Sequence, residues 1–370
     1  MLSSTIRRLD GGIQINADGL SVGQFIGIMR NGVMTPMPTI AAAAAAATSG
    51  DVIQVGPGTY KVMSVVALPA GVKLNGAGVG ATTLMFYETF IENIDGGVCI
   101  ELGQDSTLSN LTIDCYYRGS AGLNITGTVW EAVGGRFQAC VGVRRGATAK
   151  AAVTNFLVEN VEMLGETDCV YFRNANAFSG RFVNCQATTM WDAIAIFGPS
   201  GAVAHKIYYI GCHVRVMGPN TITGSTTRGN TIAIGDYVGG FQKFVGCYFR
   251  VTGASSGNIL NHDSPNSMTH IVHFSGCMYQ NESGVIDLSI SGDANKLVYA
   301  DGTNVDLTRC GNGANDAAVI FSNGFGGRYT TAQRDAIECL YDGLTIYNTT
   351  TKKLNFYDGT ATAWKAVTSA

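Results

Sequence analysis

The chain predicts an all-β solenoid, a parallel β-helix, and two columns of recurring residues carry that prediction. The first column is a four-residue phrase closed by cysteine: Phe182-Val183-Asn184-Cys185, Tyr209-Ile210-Gly211-Cys212, Phe244-Val245-Gly246-Cys247 and Phe274-Ser275-Gly276-Cys277. Val158-Glu159-Asn160-Val161 and Leu108-Ser109-Asn110-Leu111 repeat it with an aliphatic last residue. From Val161 onward the spacings are 24, 27, 35 and 30 residues, and each unit holds short β-type runs without a helical one.

The second column sets the register. Asp168 opens Cys169-Val170-Tyr171-Phe172, Asp192 opens Ala193-Ile194-Ala195-Ile196, Asn230 opens Thr231-Ile232-Ala233-Ile234, and Asn258 precedes Ile259-Leu260. From this Asp or Asn to the next Cys is 17, 20, 17 and 19 residues; from the Val or Cys to the next Asp or Asn is 7, 7, 18 and 11. One edge of each coil is therefore of nearly fixed length, and the other takes the insertions. Insertions gathered on one face of a repeat protein mark its binding face.

Composition agrees. Charged residues are 14% of the 370, hydrophobic ones 46%, and there are 48 glycines, as in β-rich, weakly charged material with a large buried core. A net charge of −3 makes no electrostatic case for nucleic acid or an anionic membrane as partner. No apolar run reaches the roughly 18–20 residues of a bilayer span. Met1 to Arg8 lack the order of a signal peptide, so synthesis in a cytoplasm is expected. Four of the ten cysteines share one repeat position and neither CxxC nor its doubled form occurs, which predicts buried free thiols rather than disulfides or zinc. No P-loop is present, and no cofactor or metal is expected.

Taken in order, residues 1–38 fit no repeat and read as a small cap or attachment segment. Thr39 precedes seven consecutive alanines, Ala41 to Ala47, a short helix with a threonine N-cap set to plug the open end of the solenoid and satisfy its edge strand. The solenoid is expected over 39–327. Two insertions stand out on its variable edge, Leu111 to about Ala139 and His213 to Gly229. From Arg328 the character changes: Thr330 to Gln333 is a capping box. Gly343–Thr351, Lys353–Gly359 and Trp364–Val367 then read as a small antiparallel meander over 328–370. A meander of that size hardly buries a core alone, so it is expected to pack on partner chains.

The candidate chemistry lies on the second column. Asp168 and Asp192 occupy equivalent places in adjacent coils, about 4.8 Å apart along the axis, which suits the acid and nucleophile of a retaining glycosidase. Like charges so close push one carboxyl up, as a general acid needs. Glu166 is the third candidate acid. Asn230 and Asn258, next in the column, cannot do that work, and Asp or Asn at a β-corner tolerates the left-handed conformation; the corner role therefore weighs more than the catalytic one. If the insertions wall a cleft over these residues, Trp191, Trp130, Tyr116 and Tyr117 could stack on sugars, with Arg136, Arg215 and Arg228 as polar contacts. His270 and His273 are three apart in a strand, on opposite faces, which argues against a shared metal.

Two stretches carry a family resemblance. The alanine-rich helix, Gly50-Asp51-Val52-Ile53-Gln54-Val55-Gly56-Pro57-Gly58-Thr59-Tyr60 and Leu68-Pro69-Ala70-Gly71-Val72-Lys73-Leu74-Asn75-Gly76-Ala77-Gly78 together resemble the opening of pectate-lyase-like right-handed parallel β-helices, as in bacteriophage tailspikes. Residues 343–364 resemble a C-terminal module of phage tail and fibre proteins. The resemblance implies a homotrimeric tailspike or tail fibre of the virion. Such a protein is held to the tail, baseplate or an adaptor by its N-terminal segment and recognises host surface polysaccharide, with or without depolymerising it. Two alternatives stay open: a free polysaccharide lyase or hydrolase, and a non-enzymatic virion decoration or adaptor protein.

Overall fold

The computed structural model describes residues 24–86, 97–115, 138–143, 152–165, 168–173, 177–189, 192–197, 205–217, 231–235, 240–252, 260–262, 270–281, 288–290, 296–301, 319–320, 325–335, 337 and 344–367. The chain is mostly strand, and its main body is a parallel β-helix with three faces. Sheet A stacks Val52–Val55, Lys73–Asn75, the first part of Thr107–Asp114 and of Val153–Leu164, then Phe178–Val183, His205–Ile210, Gly240–Val245, His270–Ser275 and Lys296–Asp301. Sheet B stacks Gly58–Val62, Thr82–Phe86, the second part of the two long strands, Gln186–Thr189, His213–Met217, Tyr248–Thr252 and Met278–Asn281. Sheet C stacks Val66–Ala67, Gly97–Glu101, Gln138–Val143, Asp168–Arg173, Ile194–Phe197, Ile232–Gly235, Leu260–His262 and Leu288–Ile290.

The recurring phrase is the turn from sheet A to sheet B. Its first residue stacks inward: Phe182, Tyr209, Phe244 and Phe274 lie in direct register, with ring centroids 5.1, 4.5 and 5.1 Å apart along the column. Its third residue takes the left-handed conformation in every copy, with φ of 58°, 51°, 51°, 61°, 58° and 60° at Asn110, Asn160, Asn184, Gly211, Gly246 and Gly276. Asparagine and glycine are the residues that adopt this conformation at least cost. The asparagines add a side-chain ladder, Asn110 Nδ2 donating to Asn75 Oδ1 at 2.9 Å and Asn160 Nδ2 to Asn110 Oδ1 at 3.3 Å. The cysteine then turns inward, where each of the four is nearly fully buried.

The second column was expected to supply the left-handed corner through Asp168 and Asp192. Neither has a positive φ; the Asn/Gly position before each cysteine does that work. The chain passes from sheet B to sheet C through 116–137, 190–191, 218–230 and 253–259, but the first residues assigned to the two large insertions, Leu111 to Asp114 and His213–Met217, are strand.

At the N-terminal end, Thr39 Oγ1 accepts from the Ala42 N–H at 3.0 Å and the Ile40–Ala46 helix buries Ile40, Ala43 and Ala44. The edge strand is satisfied by a different element from the one expected. A hairpin of Ile26–Arg30 and Val33–Pro36 lays its first strand antiparallel on Val52–Val55. A helix has no free backbone groups along its side, so only a strand can complete that ladder. Arg30 Nη2 holds Asp51 Oδ2 at 2.5 Å, tying hairpin to first coil.

At the C-terminal end, the capping box forms: Gln333 N–H donates to Thr330 Oγ1 at 3.2 Å and Thr330 N–H to Gln333 Oε1 at 3.0 Å. The strands Thr345–Asn348, Lys353–Asp358 and Ala363–Ala366 make the antiparallel meander. A fourth strand, Phe325–Tyr329, joins it in parallel, because the Thr331–Asp335 helix carries the chain back across.

Candidate functional site

Val170 pairs with Ile194, which places Asp168 and Asp192 one coil apart at the start of sheet C, as the column requires. Both are buried, at 3% and 6% exposure. The backbone N–H of Asp192 donates to the Asp168 carboxyl, yet burial, reinforced by the charges of Asp192 and Cys140, drives that carboxyl well above the ordinary range. Asp168 is thus a covered carboxyl whose burial favours the neutral form and whose oxygen serves a backbone donor in the next coil. An upward shift is what a general acid needs. The burial of Asp168 leaves it the geometry of a structural hydrogen-bonding group, which a glycan oxygen would have to reach through the surrounding chain.

Glu166, Trp191, Trp130, Tyr116, Tyr117, Arg136 and Arg228 lie outside the described residues, as do the bodies of the two large insertions. Arg215 is described, and it does not belong to an insertion: His213–Met217 is a strand of sheet B, and Arg215 is exposed on its outer face between Thr188 and Arg250. It is on a different sheet from the carboxyl pair. Alternation in His213-Val214-Arg215-Val216-Met217 is the signal that places it in a strand.

The thiols form two inner groups. Cys185, Cys212, Cys247 and Cys277 make the expected ladder; the thiols of Cys212 and Cys247 are each pushed up to about 12, first by their bonding to the preceding cysteine's sulfur. Cys99, Cys115, Cys140 and Cys169 form a second group that the repeat phrase does not contain, with Cys115 Sγ 3.1 Å from Cys99 Sγ. Burial raises the thiols of Cys99, Cys115 and Cys169, which keeps them in the unreactive form. Among the described residues, no group of three or more His, Cys, Asp or Glu side chains could hold a metal ion. None of their helices is long and apolar enough to cross a membrane.

A further set of residues, on the outer face of sheet A, escaped the sequence reading. Arg181, Tyr208, Lys243 and His273 follow one another in register down one column, and Ser179, Lys206, Phe241 and Ile271 down the next. Lys206 Nζ lies 5.8 Å from the Tyr208 ring centroid, and Tyr208 meets Phe241 edge to face at 5.9 Å. Their signal was available: each is the outward partner of a buried residue in the strand leading into the cysteine phrase.

No family model matches the chain, and no curated protein matches it. Among solved structures it is similar to ORF18 of Geobacillus virus E2, at 15% identity over 92% of each chain with a TM-score of 0.39. It is also similar to the A-module of mannuronan C-5 epimerase AlgE4 from Azotobacter vinelandii, at 14% identity over 71% of this chain and 84% of that one, TM-score 0.26. Tailspike protein 3 of bacteriophage CBA120 is 12% identical over 90% of this chain and 66% of that one, TM-score 0.18. All three scores are below 0.5, so the β-helix stands on the strand register given above.

Proposed function

We propose that the chain is a tailspike or tail-fibre receptor-binding protein of a bacteriophage virion, a homotrimer that recognises host surface polysaccharide. One observation carries this reading. The C-terminal sheet leaves Phe356, Tyr357 and Trp364 only partly covered, and Leu354 and Val367 are 42% and 48% exposed. Tyr357 and Trp364 meet edge to face at 5.6 Å, each with one side on the buried cluster and the rest uncovered. Apolar surface of this kind at the end of a rigid shaft is what partner copies cover. The sequence resemblance at both ends of the solenoid supports the same reading. The insertions between sheets B and C are the proposed receptor-contacting edge, and residues 1–38 the proposed attachment segment for the tail, baseplate or adaptor.

The test is the solution mass of the full chain by light scattering, repeated after removal of residues 328–370. A trimer that dissociates on deletion is the expected result. A monomer in both cases sinks the reading and leaves the free polysaccharide lyase or hydrolase as its successor. Depolymerisation through Asp168 and Asp192 is a second reading, favoured by their places one coil apart and by the upward shift of the Asp168 carboxyl.

A further inference from the structure

We infer that the outer face of sheet A between Arg181 and His273 is a binding track for an acidic polysaccharide, separate from the insertion edge. The chain as a whole is net acidic, at −3 with 27 Asp and Glu. Yet the eight positions of the two outward columns, Ser179, Arg181, Lys206, Tyr208, Phe241, Lys243, Ile271 and His273, hold three full cations and two aromatic rings besides the imidazole, and no acid. Across the described residues from 178 to 281 the only carboxyl is Asp192, which is buried at sheet C. Among the described residues the nearest acids on this sheet are Glu159, one coil earlier and in register with Val183, and Asp301, one coil later and in register with Ser275, both off the columns of Arg181 and Lys206.

The cations are available. Among the described residues, Arg181, Lys206 and Lys243 take part in no ion pair. Arg181 and Lys206 are exposed and Lys243 partly so. Within each column cation and ring alternate, Arg181–Tyr208–Lys243 and Lys206–Phe241, so no two full cations are direct neighbours along a column. With strands about 4.8 Å apart, Arg181 and Lys243 repeat at roughly 9.6 Å along the axis. That spacing presents positive charge periodically with a flat apolar ring between, which fits a polymer whose residues alternate anionic groups with C–H faces.

Charge decides between occupants. A second copy of this chain is disfavoured, since the adjoining sheet B also carries cations in register, Arg215 beside Arg250, and the two faces would repel. A neutral glycan would use the rings but leave the cations without a role. Single-stranded nucleic acid shares the charge and the stacking. A flat sheet face, however, offers no groove to follow its backbone, and the proposal commits to a polyuronate-like glycan. The choice of a glycan rests on the receptor-binding reading; the polyanion site itself does not.

The experiment uses the full chain and three probes: polygalacturonate, neutral dextran, and a single-stranded DNA of matched charge, each at low and high salt. Binding to polygalacturonate is expected at low salt and is expected to fade as salt screens the contacts. The double variant Lys206→Gln and Lys243→Gln should weaken it about tenfold. Its melting temperature and solution mass should stay unchanged, because neither side chain is buried. Equal binding of dextran, or unchanged binding by the double variant, overturns the inference. Tighter binding of the DNA overturns the glycan in favour of nucleic acid. A monomer that still binds polygalacturonate through these lysines ends the tailspike reading while the track stands; a trimer that ignores polygalacturonate does the reverse.

Discussion

The backbone N–H of Asp192 donates to the carboxyl of Asp168 in the preceding coil, and burial pushes the pKa of that carboxyl well above its ordinary value. A group whose pKa is raised on folding contributes stability that is fully present below its unfolded value, 3.8, and is lost as pH rises through the folded value. Each unit of that rise is about 1.4 kcal/mol of preference for the neutral form. An asparagine in place of Asp168 would keep the accepting oxygen without the titrating proton. Asp168→Asn is therefore expected to match the parent near the unfolded value of 3.8 and to gain on it steadily at higher pH, read as melting temperature against pH. A parallel pair of curves would mean the carboxyl is ionised in the fold. Should the protein depolymerise a glycan, parental rates in both Asp168→Asn and Asp192→Asn would exclude the pair from catalysis.

The corner between sheets A and B separates backbone strain from packing. A Cβ at Gly246 would meet nothing within 4 Å, while φ there is +58°. Gly246→Ala should cost about 1 kcal/mol from the left-handed conformation alone. Gly246→Asn should cost much less, because Asn184 already occupies the equivalent place in an earlier coil at φ 51°. Chemical denaturation of the two variants against the parent decides it, and equal losses would refute a purely conformational origin.

Tyr209 sits in the aromatic column between Phe182 and Phe244, stacked at 5.1 and 4.5 Å, and its buried hydroxyl has no hydrogen-bond partner among the described residues. Its neighbours in the same column are phenylalanines, so the ring alone meets the packing demand. Tyr209→Phe is expected to stabilise the protein by about 1 kcal/mol by removing an unsatisfied polar atom. Phe244→Ala, which empties the same column, is expected to lose about 3–5 kcal/mol. A destabilised Tyr209→Phe variant would reveal a partner for the hydroxyl.

These residues also show what was legible in the sequence. The phrase ending in Cys185, Cys212, Cys247 and Cys277 exposed the period, because a solenoid forces each inward position to recur and packing narrows what can occupy it. The same constraint produced the Asp168 and Asp192 register. Their conformation was misread: Asp and Asn at a corner share a preference for the left-handed region, and spacing alone could not tell that Asn184 and not Asp192 occupies it. Arg215 was drawn into an insertion because the end of a strand and the start of a loop look alike when both hold Thr, Val and Arg. The outward lattice of Lys206, Tyr208, Phe241 and Lys243 went unseen for a different reason. Outward residues are free of the packing constraint, so they do not repeat, and only the strand register brings residues 25 to 62 positions from Arg181 onto one face.

The hairpin that closes the solenoid pairs by backbone with Val52–Val55 and adds one ion pair, Arg30 with Asp51, that can be tuned by pH. Asp51 is buried, and its carboxyl is held well below the ordinary range, first by the Arg30 guanidinium and then by the Thr48 backbone N–H, at 2.7 Å. A lowered pKa contributes stability that is present above the unfolded value of 3.8 and is lost as pH falls through the folded value. Arg30 is half exposed, so solvent screens part of the attraction and the loss on Arg30→Ala should be small. It should nonetheless be local. Hydrogen exchange of the Val52–Val55 amides that face the hairpin is expected to quicken in Arg30→Ala at pH 7. The gap between variant and parent should narrow as Asp51 protonates in acid. If those amides exchange at the parental rate at both ends of the pH range, backbone pairing with Ile26–Arg30 holds the edge by itself, and the ion pair is incidental.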